Sequence, residues 1–398
     1  MIELENRKLR IGVDLAPLRP PLTGVGNYER HLMAALLRGP DAPQVHGFSE
    51  FSWIRLEKNN TSWLMPESEH IGGVRSWAIQ QARRILRTEM GRGVYSLLRR
   101  SAFELSCDAQ KLALFHAFAY VAPGNPRVPI IPVVYDLSFV RFPGAHPLAR
   151  IQSLRVLPKQ LQAAPVVHTI SHFSAREIAD VFGIPLSRIA VIYPGVNPSF
   201  TDGPPEISYT ALAHYKVKSK QYFMTVSTLE PRKNLRSLII AYSRLPKSKR
   251  EELPLCIVGA DGWGSLDLPS SSQALEREGS LRFLGFVPNE HLRTLYTNTR
   301  AMFYPSVYEG FGMPIIEALA CGAPVICSDA TAMPEAGGDV ARRVAPLDSD
   351  GWLREFEIAA ENRDCDPQEI NRRKRQAQQF TWTRAAEQVL ELYQRATK

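Results

Sequence analysis

The chain has 398 residues, of which 44% are hydrophobic and 22% charged. That length suggests two or three domains that need no disulfide or metal staple, and the composition excludes a disordered tail, a collagen or a coiled coil as the main body. Lysine and arginine number 48 against 40 aspartates and glutamates, a net charge of +8 that favours an anionic partner.

The N-terminus, MIELENRKLRIGVDL, has no apolar run ahead of its first strand, so no signal peptide is expected. Residues 10–15 read as a short buried strand. The glycine turn of TGVGNYERHLMAALL then feeds a helix with apolar residues at helical spacing. Short β-rich runs follow at 111–115, 128–135, 166–170 and 189–192. The segment SHFSAREIADVF (171–182) reads as a helix, with Ser174 and Glu177 spaced as in a capping box. Turn formers at 198–205 (PSFTDGPP) interrupt the pattern. Strands are then expected at 221–226, 254–259, 281–285, 301–305 and 324–328, and helices at 234–244, 289–298 and 314–321. Such alternation predicts mostly parallel sheets covered on both faces, here in two α/β domains with a cleft between them as the natural ligand site.

No stretch reaches the roughly 18 apolar residues of a membrane span. The five cysteines (Cys107, Cys256, Cys321, Cys327 and Cys365) are odd in number and lack zinc or redox spacing, which predicts a reduced, cytoplasmic chain.

The informative stretch is YPSVYEGFGMPIIEALACGAPVICSD, residues 304–329. A loop carrying Glu309, Gly310, Phe311 and Gly312 leads into a helix that carries Glu317 in its first turn. The unpaired N–H groups and positive dipole at that helix start suit a diphosphate, and the glycines permit close backbone approach. Two carboxylates would repel a bare phosphate, but they suit hydroxyls on either side of one: a ribose diol at Glu317, sugar hydroxyls at Glu309. Upstream, TLEPRKN (228–234) sets Arg232 and Lys233 at a strand's C-terminal edge, where α/β sheets bind ligands.

The E-x7-E pair Glu309 and Glu317, within that string and together with TLEPRKNL, resembles glycosyltransferase family 4 of the GT-B fold, two Rossmann-like doubly wound domains facing across a cleft. TGVGNYERHL, TISHFSAREI, VIYPGVN, LGFVPNEHLRTLY and FTWTRAAEQVLELYQRA are further matches along most of the chain. The resemblance implies an acceptor-binding domain over residues 1–200, a donor-binding domain over 201–378 and a C-terminal helix, 379–398, crossing back onto the first. It implies a retaining hexosyltransferase that needs no metal or other cofactor. Glu309, His116, Arg232 and Lys233 would be its catalytic residues. Gly24, Gly26, Arg232, Lys233, Phe286, Val287, Glu309, Gly310, Phe311, Gly312, Met313 and Glu317 would bind the donor. EPRKNL-type relatives suggest bacterial mannosyltransferases of polysaccharide or O-antigen assembly. GDP-mannose is thus the favoured donor and a glycan or lipid-linked saccharide the acceptor. GDP-rhamnose, UDP-glucose or UDP-GlcNAc as donor, an epimerase, and a non-catalytic nucleotide-sugar binder are the alternatives. The chain departs from the family at Ser227, often Gly, at Tyr135, often His, and at Ala260 and Asp261, where a lysine often follows the glycine loop.

Most of the positive excess lies in residues 74–100, where seven arginines face Glu89 alone among interleaved apolar residues. This pattern suits an anionic membrane surface and a peripheral place on the inner face of the cytoplasmic membrane. No nucleic-acid motif accompanies the charge, so nucleic acid is not expected as a partner. Asp348-Ser349-Asp350 and Asp364-Cys365-Asp366 match a metal-binding D-x-D pattern but read as solvated acidic loops, and no metal site is expected.

Overall fold

The computed structural model describes residues 9–19, 22–58, 89–201, 208–260, 262, 268–362 and 366–397. Two sheets organise them. The first contains β1 (Arg10–Asp14), β2 (Gln44–Ser49), β3 (Ser52–Leu56), β4 (Leu114–Ala117), β5 (Ile130–Val134), β6 (Val167–Thr169) and β7 (Ile189–Val191), in the order β3-β2-β1-β4-β5-β6-β7. All neighbours are parallel except β2 and β3. The second contains β8 (Phe223–Val226), β9 (Leu255–Val258), β10 (Leu281–Gly285), β11 (Ala301–Tyr304), β12 (Val325–Ser328) and β13 (Arg342–Val344), in the order β10-β9-β8-β11-β12-β13 and wholly parallel. Every residue of β4, β9, β11 and β12 is buried, as continuous apolar runs covered by helices on both faces require.

The helices that position the site are α1 (Gly24–Arg38), α2 (Glu89–Ala109), α3 (His172–Phe182), α4 (Leu235–Ser243), α5 (Asn289–Asn298), α6 (Met313–Ala320), α7 (Met333–Gly337) and α8 (Trp382–Ala396). Helix α3 is capped by Ser171, whose hydroxyl accepts the Ser174 amide, rather than by the expected Ser174–Glu177 pair, and is closed by Gly183 in the left-handed region. Helix α8 lies on the first domain. Trp382 packs against Tyr28 and His31 of α1, with ring centroids 5.4 Å away in each case.

Three strands are absent from the sequence reading. β2 (QVHGFS) and β3 (SWIRL) form an antiparallel edge hairpin with polar residues interspersed, so neither shows the apolar run expected of a buried strand. β13 is RRV at the far edge of the second sheet, with both arginines exposed. Residues 59–88, which hold Arg75, Arg83, Arg84 and Arg87, lie outside the described residues, as do Asp364 and Cys365.

Candidate active site

The site forms where the C-terminal edge of the second sheet meets the first domain. The chain leaves β8 through Thr228–Glu230, makes one 3-10 turn over Pro231–Lys233 and enters α4. Asn234 takes a left-handed conformation, φ 54°, tolerated by its short polar side chain. Its side-chain Nδ2 donates to the carbonyls of Pro305 (3.0 Å) and Pro346 (2.7 Å), which pins the Arg232–Lys233 turn against the end of β11.

That places both cations on Glu309. Lys233 Nζ donates to Oε1 at 2.6 Å and Arg232 Nη1 to Oε2 at 3.0 Å. The hydroxyls of Tyr304 (2.8 Å) and Ser306 (2.7 Å) also donate to Oε1. Glu309 is only 7% exposed. Burial alone would raise its carboxyl pKa, but Lys233, then Arg232, outweigh that and hold it at about 2. A carboxylate so saturated with donors is fixed in place, ionised and weakly basic. Arg232 is itself held by Glu230 at 2.8 Å through Nε.

Gly312 precedes α6 with φ 105°, a conformation that favours glycine. Gly310 is a close approach of another kind. A Cβ there would lie 2.2 Å from the Tyr135 carbonyl oxygen, so the loop touches the first domain where a side chain is excluded. Glu317 follows in α6, accepting from the Tyr296 hydroxyl at 3.2 Å. Burial raises its pKa to about 7.

These features have parallels in known proteins. A family model described as Glycosyltransferase Family 4 matches residues 23–200, and one described as glycosyl transferases group 1 matches residues 213–349. An Escherichia coli protein named O-antigen chain mannosyltransferase B is 30% identical over 383 residues, 95% of this chain and 97% of the relative. The chain belongs to glycosyltransferase family 4. A second relative, O-antigen chain mannosyltransferase RfbU of Salmonella typhimurium, is 29% identical over 55% of this chain and 57% of its own. The Anabaena protein HepE, solved in complex with UDP-glucose, superposes with a TM-score of 0.64 at 18% identity, over 96% of this chain and 99% of that one. WaaG, a glycosyltransferase involved in lipopolysaccharide biosynthesis, does so with a TM-score of 0.64 at 15% identity, over 96% and 99%. The fold is GT-B, and the protein is a glycosyltransferase.

The other residues expected at this glycosyltransferase's site have varied surroundings. His116, expected beside the sugar, is fully buried. Both its ring nitrogens are engaged, Nε2 with His168 Nδ1 and Nδ1 with the Tyr393 hydroxyl, each at 2.9 Å. The Tyr28 hydroxyl donates to the Ile192 carbonyl and meets His168 Nε2 at 2.9 Å. One tautomer set satisfies the row: Tyr393 donates to His116, His116 to His168, His168 to Tyr28. Burial holds both imidazoles neutral, His168 down to about 3. His116 thus joins α8 to the first sheet.

At Gly26 a Cβ would lie 2.2 Å from the Pro17 carbonyl oxygen, a close approach to its own chain. Gly24 is exposed at the start of α1. The Phe311 ring is buried against Tyr193 and Phe380, at 5.5 and 5.3 Å between centroids, which leaves the backbone as its only means of ligand contact. Met313 is half-buried as the first residue of α6. Phe286, at the end of β10, is 79% exposed while Val287 is buried. The acidic decoys have structural partners: Asp348 caps the helix Ser349–Glu361, Asp350 pairs with Arg244 at 2.6 Å, and Asp366 caps the helix Pro367–Ala377.

Sequence reasoning missed Tyr304 and Ser306, although both stand in YPSVYE just ahead of Glu309. It also missed Asn234, Tyr308 and Thr331. The Thr331 hydroxyl accepts the Glu309 amide at 3.1 Å. Nothing in the local sequence marks Thr331, because its role depends on a loop 22 residues away.

Proposed function

We propose that this protein is a retaining glycosyltransferase that moves mannose from GDP-mannose to a glycan or lipid-linked saccharide, forming an α-glycosidic bond. The observation that carries the reading is the buried Glu309, clasped by Lys233 and Arg232 at the C-terminal edge of the second sheet. The names of the O-antigen mannosyltransferases support the sugar.

In this reading Glu309 orients sugar hydroxyls, Glu317 accepts from the ribose diol, and the diphosphate lies on Arg232, Lys233 and the start of α6. The chain's own cations and backbone N–H groups would stabilise the charge on the leaving diphosphate, with no metal required. Glu309 is a poor candidate for a covalent nucleophile, since both its oxygens already accept hydrogen bonds and its pKa is about 2. Attack from the front face is therefore favoured over double displacement. The acceptor oxygen bonds to the anomeric carbon, the carbon–phosphate oxygen bond breaks with its electron pair left on the diphosphate, and the acceptor proton passes to that phosphate oxygen.

A donor panel tests the activity. Purified protein with membrane extract is expected to release nucleoside diphosphate from GDP-mannose and from no UDP-sugar. Release from a UDP-sugar alone would replace the donor, and release from none would favour a non-catalytic binder.

The raised pKa of Glu317 gives a second test. Ribose hydroxyls donating to its carboxylate would stabilise the ionised form and lower that pKa, so GDP binding at pH 6.5 should release protons. Calorimetry in buffers of different ionisation enthalpy measures this. Glu317→Gln is expected to abolish the buffer dependence, and its persistence in the variant would place the ribose elsewhere.

We also propose a peripheral membrane contact through residues 74–100. Of these, the structure describes the first half of α2, where Val94, Leu97 and Leu98 are exposed, as is Arg100. No helix among the described residues is long and apolar enough to cross a membrane. Flotation with anionic liposomes should be lost on charge reversal of Arg83, Arg84 and Arg87; equal flotation would count against the contact.

A further inference from the structure

The loop that holds Glu309 faces two ways. Glu309 turns its carboxylate into the second domain, while Tyr308, the residue before it, inserts into the first. Tyr308 is 4% exposed, its ring set edge-on against Phe142 (5.5 Å) and Phe173 (5.8 Å). Its hydroxyl accepts the Leu137 amide at 2.8 Å and donates to Glu177 of α3 in a short contact. Glu177 is held in turn by Arg141 at 2.7 Å. The Tyr308 carbonyl accepts from Arg232 at 3.2 Å, so the first-domain plug and the cation cluster share one peptide unit.

A second contact converges on α3. Glu335 of α7 reaches across from the second domain, and its carboxylate accepts the backbone amides of His172 (2.8 Å) and Phe173 (2.7 Å) and the Tyr193 hydroxyl (2.9 Å). Those are the first two amides of α3, groups a helix cannot satisfy internally, and the helix dipole there favours a carboxylate. Between the Ser174 hydroxyl and the Gly310 carbonyl is a third, longer bond of 3.4 Å. The second-domain ends of these contacts are tied together. Thr331, four residues before Glu335, accepts the Glu309 amide, and it does so from φ 56°, where a β-branched residue is strained.

We propose that α3 is the docking element through which closure of the cleft sets the Glu309 loop, with Tyr308 and Glu335 as positioning residues. This rests on the reading of that loop as the donor-sugar site. Each contact joins the two domains, so none survives their separation. When they close, Glu335 on the helix start and Tyr308 on Glu177 register the loop against the first domain. Closure then coincides with the final placement of Glu309 and Arg232. An open cleft would hold a nucleotide but would transfer sugar slowly.

Tyr308→Phe keeps the ring and removes the hydroxyl, while Glu335→Ala removes the carboxylate and Glu335→Gln restores one acceptor oxygen. Tyr308→Phe is expected to lower kcat with GDP-mannose about tenfold, the equivalent of one hydrogen bond, with GDP affinity within about twofold of wild type. Hydrogen exchange over residues 171–182, which needs no donor, should rise about tenfold in Glu335→Ala and recover partly in Glu335→Gln. Unchanged exchange in Glu335→Ala would overturn the docking contact. An unchanged kcat in Tyr308→Phe, with Glu309→Ala inactive, would overturn the positioning role and leave the donor site standing. Full transfer by Glu309→Ala would remove the donor-site reading and this proposal with it.

Discussion

Replacing Glu309 with glutamine is expected to lower sugar transfer at least ~100-fold while GDP binds as tightly as to wild type, or more tightly. The two effects diverge because Glu309 does two things. It presents a fixed negative charge, and it neutralises Lys233 and Arg232, which bond to its two oxygens at 2.6 and 3.0 Å. Glutamine keeps the shape but releases both cations to a diphosphate. Glu309→Ala adds a cost in stability. It leaves the buried Lys233 without its ion-pair partner and Arg232 with Glu230 alone, a change that typically costs about 3–5 kcal/mol. Added GDP should offset part of that loss, so the melting temperature of Glu309→Ala should rise more with GDP than that of wild type. Chemical denaturation and thermal shift measure both. Weaker GDP binding in the glutamine variant would contradict the assignment.

Lys233→Ala should have the opposite signature. Lys233 is 7% exposed, its ammonium lies 5.8 Å from the centre of the Tyr304 ring, and it donates to Glu309. Losing it removes one of two side-chain charges available to a diphosphate, so GDP affinity is expected to fall at least tenfold and transfer by ~100-fold or more. Arginine is not expected to rescue it, since a planar guanidinium does not fit where a compact ammonium is enclosed. The pair also sets a pH signature. Glu309 has a folded pKa of about 2 against an ordinary 4.5, so its contribution is present above 4.5 and lost as pH falls toward 2. Without Lys233 the folded pKa rises, and acid unfolding should begin at higher pH. An unchanged acid midpoint would show that Arg232 alone holds Glu309 down.

The fold was largely legible because buried parallel strands are written as short apolar runs. FMTV, LCIV and AMFY need no partner to be seen. The edges were not legible, since β3 and β13 carry the polar residues that exposed edges take. At the site, Glu309, Glu317, Arg232 and Lys233 stood out because charges and glycines beside strand ends have few structural uses. The surroundings of His116 were not legible. A histidine at the end of β4 looks like a ligand contact, and only the fold reveals that His168, 52 residues on, and Tyr393, 277 residues on, close around it. The cross-domain contacts were invisible from sequence. Glu335 reads as an ordinary acidic residue in a helix's first turn, because the amides it accepts from belong to the other domain.

Transfer from a nucleotide-sugar with retention at the anomeric carbon leaves its signature in the product. The most direct measurement is the anomeric configuration of the product formed from GDP-mannose and membrane-derived acceptor, read from the one-bond carbon–hydrogen coupling in the nuclear magnetic resonance spectrum. An α-linked mannose, formed by the wild type and absent with Glu309→Gln, is the predicted result. A β-linked product, or undiminished transfer by the variant, would contradict it.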